Sequence, residues 1–258
     1  MAEFDRPTIA AARAGTAAAI DEGLRSYMLK VYNYMGIGLV VTGLVAWFAS
    51  NAAITSDPAQ AVGSLANGQM VTQWGALLYG GGPLMWVVAL SPLAIVLVLS
   101  FGINRLSVSA AQAIFWGFSA LMGLSLSSIF LVYTDASIAK VFFITAATFG
   151  TMSLYGYTTK RDLTSIGNFL IMGLFGLIIA SLVNIFLQSS MLEFAISAVG
   201  VLVFVGLTAY DTQKIKESYS ESFGQDVLAK GAIMGALNLY LDFINLFMML
   251  LRLFGNRE

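Results

Sequence analysis

The sequence contains no cysteine and no histidine. The first absence removes disulfides, thiol catalysis and thiolate metal sites. The second removes His-based zinc and haem ligation, Ser-His triads and the usual side-chain switch near neutral pH, so any proton sensing must fall to carboxylates. Charge is scarce too. The 13 Lys and Arg nearly balance 14 Asp and Glu, for a net charge of -1, which leaves no basic patch for nucleic acid. Only 10% of the 258 residues are charged while 58% are hydrophobic, and mean hydropathy is +0.82. A water-facing globular surface of this size could not carry that composition. An all-α, polytopic integral membrane protein is expected.

A bilayer crossing needs about 20 predominantly apolar residues, and seven runs qualify: 31-49, 84-103, 110-133, 139-158, 166-187, 192-210 and 232-253. In lipid every backbone amide must find a partner, so these runs read as seven transmembrane helices. The 47 residues from Pro58 to Asn104 carry no charge, which leaves room for a partial helix that Gly80-Gly81-Gly82-Pro83 would end. Residues 1-27 read as an amphipathic or loosely ordered cytoplasmic arm, and 28-258 as the transmembrane domain. No cleavable signal is expected, because acidic residues precede the first span and that span is too long for a signal core.

With the amino terminus inside, ten basic residues fall on inner segments (Arg6, Arg13, Arg25, Lys30, Arg105, Lys160, Arg161, Lys214, Lys216 and Lys230) and three outside (Lys140, Arg252 and Arg257). The bias predicts a cytoplasmic amino terminus. Seven crossings put the carboxyl terminus outside, whereas a re-entrant last segment would return it. Compact loops and this asymmetry suggest a bacterial inner, or plasma, membrane.

Inside the spans, Asp242 is the most informative residue, as the one charge in the run from Gly231 to Leu251. A carboxylate at the centre of a membrane helix costs about 2.5–3.5 kcal/mol on insertion scales, which points to a functional use. Asp211, at the close of the preceding run, is its expected partner. Asn238, Asp242 and Asn245 fall at i, i+4 and i+7 and form one polar stripe. The two asparagines are expected to bridge to neighbouring helices or to contact ions in a pore. Gln112, Asn168 and Asn184 read as inter-helix glue. Gly36, Gly38, Gly43, Gly123, Ser127, Gly173, Gly176 and Ala180 read as close-packing positions.

The segment Gly206-Leu207-Thr208-Ala209-Tyr210-Asp211-Thr212-Gln213-Lys214-Ile215-Lys216, then Ala236-Leu237-Asn238-Leu239-Tyr240-Leu241-Asp242-Phe243-Ile244-Asn245-Leu246-Phe247 and Leu250-Leu251-Arg252-Leu253-Phe254-Gly255, resembles the signature of the Bax inhibitor-1 family. The likeness in layout covers almost the whole chain, and the motifs lie in the last two helices. The resemblance implies a bundle whose last helix is central. It also implies a calcium leak in which a pair of aspartates senses pH, and Asp211 and Asp242 match that pair. An arginine at the cytoplasmic end of the second helix belongs to the family's gate, and Arg105 is the residue at that place. The span from Leu84 to Asn104 has no acid, so this pore would hold fewer carboxylates than one with an acidic second helix.

Two carboxyls in contact at low dielectric cannot both ionise cheaply, and a shared proton would tie helices six and seven together. Calcium takes six to eight oxygen ligands, so Asp211 and Asp242 with amides and carbonyls imply weak, transient metal binding, with calcium as a transported ion and no cofactor. The expected function is a passive, pH-modulated cation leak, with protons and the lipid bilayer as further partners and no enzymatic activity. One alternative is a membrane-embedded regulator that binds another membrane protein such as a membrane protease. Another is an intramembrane aspartyl protease, since Tyr210-Asp211 matches the first half of that signature. Leu239-Tyr240-Leu241 stand where those enzymes have glycines before the second aspartate, and would crowd a substrate backbone. The spans show no zincin motif, nucleophile elbow or phosphate loop, and the last span has no lysine for a retinal Schiff base.

Overall fold

The computed structural model describes residues 6–65 and 68–257, with side chains of the first helix from Glu22 onward. Its elements in order are α1 (Arg6–Ala53), β1 (Gly63–Ser64), β2 (Met70–Val71), α2 (Gln73–Tyr79), α3 (Pro83–Gly102), α4 (Val108–Leu126), α5 (Ile129–Val132), α6 (Asp135–Thr158), α7 (Thr164–Leu187), α8 (Ser190–Glu217) and α9 (Gln225–Phe254). Among the described residues, seven helical segments are long and apolar enough to cross a membrane: Glu22–Ala53, Pro83–Gly102, Val108–Val132, Asp135–Thr158, Thr164–Leu187, Ser190–Glu217 and Gln225–Phe254. Each contains or nearly contains one predicted span. Polar ends extend the helices furthest at α1, α8 and α9, because the hydrogen-bonded backbone continues past the apolar window. The segment read as an arm is helical from Arg6 and runs into the first span without a break. Residues 1–5 of that arm lie outside the described residues.

Between α1 and α3 the chain forms a short antiparallel pair, Gly63 opposite Val71 and Ser64 opposite Met70, followed by the partial helix α2. The Thr72 hydroxyl accepts the Gly75 N–H to start α2. Gly81, at φ +77°, supplies the positive-φ step that ends it, and Pro83 opens α3. The third predicted span is interrupted at Ser127 and Ser128, giving α4 and the single turn α5. The Ser127 hydroxyl bonds the Leu124 carbonyl at 2.6 Å and the Tyr79 hydroxyl at 2.7 Å, which fixes the break to α2.

The last helix is the axis of the bundle. Of its most apolar stretch 67% is buried, against 6% for α7, and α1, α4, α6 and α8 all pack on it. Burial runs around α9, with Ala232, Ile233, Ala236, Leu239, Tyr240, Leu246 and Leu251 all inaccessible. The start of α9 lies beside the first span of α1 near Gly23 and Tyr27: a Cβ on Gly231 would lie 3.0 Å from the Tyr27 hydroxyl, and one on Gly23 2.2 Å from the hydroxyl of Tyr219, just before α9. Its far end is tied to the start of α6: Thr134 N–H donates to the Asn256 carbonyl at 3.1 Å, and Asn256 N–H to the Ser137 hydroxyl at 2.9 Å. α9 therefore crosses the bundle completely and is not re-entrant. Gly23 of α1 and Asn256 after α9 lie at opposite ends of the bundle.

Close packing is carried by fewer of the expected small residues than their number suggested. Gly123 is required, since its Cβ would lie 2.6 Å from the Thr42 carbonyl oxygen of α1, whereas Gly36, Gly43 and Gly176 face open space. The tightest approach joins α6 to α8: a Cβ on Gly156 would lie 2.1 Å from the Ala209 carbonyl oxygen. That contact fixes the stretch of α8 that ends in Asp211.

Candidate functional site

Asp211 lies on the last turns of α8, partly buried, and Asp242 lies midway along α9 with 5% of its surface exposed. The helices pack side by side, and the two carboxyl groups come within side-chain hydrogen-bonding reach of each other. Oδ2 of Asp242 has no donor from any other group among the described residues. Two carboxylates have nothing to donate, so the contact becomes a hydrogen bond only when one of them holds a proton. The pair inferred from sequence is thus assembled.

The other predicted site residues sit differently. Asn245 turns its amide to its own helix, donating to the Leu241 carbonyl at 2.8 Å, instead of bridging to a neighbour. Asn238 is half-buried one turn before Asp242 on the same stripe. Arg105 is exposed on the turn between α3 and α4, and α3 packs on α2 and α4. The cation whose field acts on Asp211 is Lys214, three residues further on in α8. Of the three isolated amides, Gln112 does act as glue, donating to the Tyr34 hydroxyl of α1. The Asn184 Oδ1 accepts from the Ser189 N–H at the end of α7, and Asn168 is exposed.

Hydroxyls that sequence reading did not single out frame the aspartates. The Tyr240 hydroxyl, two residues before Asp242, meets the Thr42 hydroxyl at 2.6 Å, and Thr42 also lies 2.8 Å from the Ser119 carbonyl oxygen. These contacts join α9, α1 and α4 at one buried point. Beside Asp211, the Thr212 hydroxyl is 2.9 Å from that of Ser153, which is 2.6 Å from that of Tyr32. This second chain joins α8, α6 and α1. Tyr240 and Thr212 flank the aspartates in the motifs and were open to notice, but nothing in the sequence marks Thr42, Ser153 or Tyr32, whose roles come from helix packing.

Below Asp211, Gln213 closes the α6–α7 turn. Its Oε1 accepts the Leu163 N–H at 2.8 Å and its Nε2 donates to the Arg161 carbonyl at 2.9 Å. Lys216 Nζ donates to the Tyr157 carbonyl at 2.8 Å. In that turn the Thr164 hydroxyl and N–H hold the exposed Asp162 carboxyl below the usual carboxylate range. Among the described residues no three acidic side chains converge on one point, so a cation at the pair would meet two carboxylates.

The chain is similar to known proteins over nearly its full length. The model of the family described as inhibitor of apoptosis-promoting Bax1 matches residues 24–258. The inner membrane protein YbhL of Escherichia coli is 49% identical over 238 residues, covering 92% of this chain and 94% of its own length. A Rickettsia prowazekii protein, RP147, is also 49% identical, with 92% of each chain covered. The Lactococcus lactis protein YrjE is 39% identical, with 91% of this chain and 92% of its own covered. With a family match spanning the whole bundle and both aspartate motifs inside it, the chain belongs to the Bax inhibitor-1 family.

Proposed function

We propose that the protein is a passive, pH-modulated cation leak, with calcium as the ion, gated where Asp211 meets Asp242. The observation that carries this reading is the buried Asp242 carboxyl, which has an unpartnered oxygen and the Asp211 carboxyl within hydrogen-bonding reach, at the centre of the most buried helix. One proton shared between them joins α8 to α9. Its loss leaves two like charges at low dielectric, which must separate or draw in a counter-cation. Lys214 is placed to serve as that cation, as is a permeating ion. Either response changes the α8–α9 contact, which links proton occupancy to the path through the bundle.

Two carboxylates with carbonyls and the nearby Asn238 amide fall short of the six to eight oxygens that hold calcium firmly. Weak contact suits passage better than storage. A protease reading finds no support at Asp242: Leu239 and Tyr240 before it are fully buried, and Tyr240 is bonded to Thr42, so no substrate backbone has room there. The name of the Escherichia coli relative, an inner membrane protein, supports a bacterial inner membrane, and the charge asymmetry supports a cytoplasmic amino terminus.

The experiment is calcium flux into proteoliposomes from about pH 5 to 8, a range no histidine can account for here, for wild type and the Asp211→Asn/Asp242→Asn double variant. Flux whose pH dependence disappears in the variant is expected. A variant that keeps the wild-type pH profile removes the pair as sensor, and absence of wild-type flux removes the leak.

A further inference from the structure

A cleft between α1 and α6 has a volume of about 570 Å³ and neither aspartate on its lining, although Ser153 in its wall is bonded to Thr212, the neighbour of Asp211. One face of α1 lines it with Arg25, Met28, Leu29 and Tyr32, and one face of α6 with Phe149, Gly150, Ser153 and Leu154. The spacings i, i+3, i+4, i+7 on α1 and i, i+1, i+4, i+5 on α6 show two helix faces turned towards each other. They touch at the floor, where the Tyr32 and Ser153 hydroxyls are 2.6 Å apart. Above it the helices part, because α1 packs on α4 and α9 while α6 packs on α8 and α9.

The walls of the cleft continue into the lipid-facing surface, with Leu29 51% and Leu154 62% exposed. Water is absent at this depth of a bilayer, so an apolar gap open to the side is filled by hydrocarbon. The one charged group on its lining is Arg25, exposed at the end of the cleft nearest the membrane face, with Lys30 and Glu22 on the adjoining surface of α1. A guanidinium at that level suits a phosphodiester, which it can bind in bidentate fashion, and basic residues between helices are a recurring headgroup site. We propose that this cleft is a binding site for an anionic phospholipid, with one acyl chain between α1 and α6 and the phosphate on Arg25. The site stands apart from the leak reading, although its floor reaches α8 through the Ser153–Thr212 contact.

Gly150 gives a clean test, because a Cβ there meets nothing within 4 Å, so Gly150→Phe fills the cleft without pushing into backbone. Arg25→Gln removes the headgroup contact from an exposed position and leaves the packing alone. Delipidated protein in detergent is titrated with phosphatidylglycerol and the bound lipid counted by native mass spectrometry, with helix content checked by circular dichroism. Wild type is expected to retain one phosphatidylglycerol, and each variant to need about tenfold more lipid for the same occupancy. Wild-type occupancy in either folded variant overturns the proposal. Should Gly150→Phe lose its helix content, Arg25→Gln decides alone.

Discussion

At the scale of the residue, Asp242 is held where asparagine would fill the same space at lower cost. The aspartate penalises the folded helix by about 2.5–3.5 kcal/mol on insertion scales, so Asp242→Asn is expected to leave thermal stability in detergent unchanged or raised, while abolishing the pH dependence of calcium flux. A fall in unfolding temperature with flux unaltered would make Asp242 a structural acid. Tyr240→Phe probes the hydroxyl two residues earlier. Thr42 keeps the Gly38 and Ser119 carbonyls as acceptors, so the loss is that of one interhelical bond, about 0.6 kcal/mol and at most about 1.7. The effect is expected to be equal at acid and neutral pH when unfolding is followed by circular dichroism, because neither hydroxyl titrates there. The aspartates were legible in the sequence because a lone carboxylate stands out in an apolar run. Thr42 was not, since a threonine bonded within a helix and one joining three helices look alike in sequence. Arg105 was matched to a gate residue through the family resemblance and lies exposed on the α3–α4 turn, whereas the influence of Lys214 on Asp211 was open to notice from their spacing along α8.

At the scale of the element, the glycines show where sequence pattern loses force. In water the buried face of a helix is marked by apolar residues, but in lipid both faces are apolar and periodicity no longer tells inside from outside. Gly176 and Gly156 therefore look equivalent in sequence, although the first faces open space and the second abuts the Ala209 backbone. Gly156→Leu is expected to destabilise the protein by about 1–3 kcal/mol, as overpacked sites do, because the obstructing atom belongs to backbone that cannot rotate away. Gly176→Leu is expected to be neutral. Thermal unfolding of the two variants in the same detergent separates them, and equal stability would mean that α6 and α8 are not in this register. The break between α4 and α5 was hidden for a related reason. Ser127 and Ser128 are ordinary helix residues in an apolar run until Tyr79 arrives from α2 to hold them.

At the scale of the whole molecule, the two most apolar spans, α3 and α7, are the most exposed, and α9 is the most enclosed. α9 carries the polar stripe and is largely buried, whereas α7, almost wholly apolar, is the most exposed of the seven. Hydropathy located the spans and set α3 and α7 at the rim, where lipid receives the most apolar helices, but it could not rank the rest, since α8 is more apolar than α6 and yet more buried. The centrality of α9 was instead carried by its resemblance to a family. Orientation across the membrane rests on charge alone, ten basic residues towards one face and three towards the other. The absence of cysteine makes this testable without altering any native thiol. Lys160→Cys sits in the exposed turn between α6 and α7, and Ser56→Cys in the exposed segment after α1, at the opposite face. In intact cells a membrane-impermeant maleimide is expected to label the cysteine at position 56 and to reach position 160 only after the membrane is permeabilised. The reverse pattern would invert the bundle and place the start of α1 outside. It would also put the end of the α1–α6 cleft nearest Arg25 in the outer leaflet. Labelling of both sites in intact cells would require two opposed populations, which the charge asymmetry argues against.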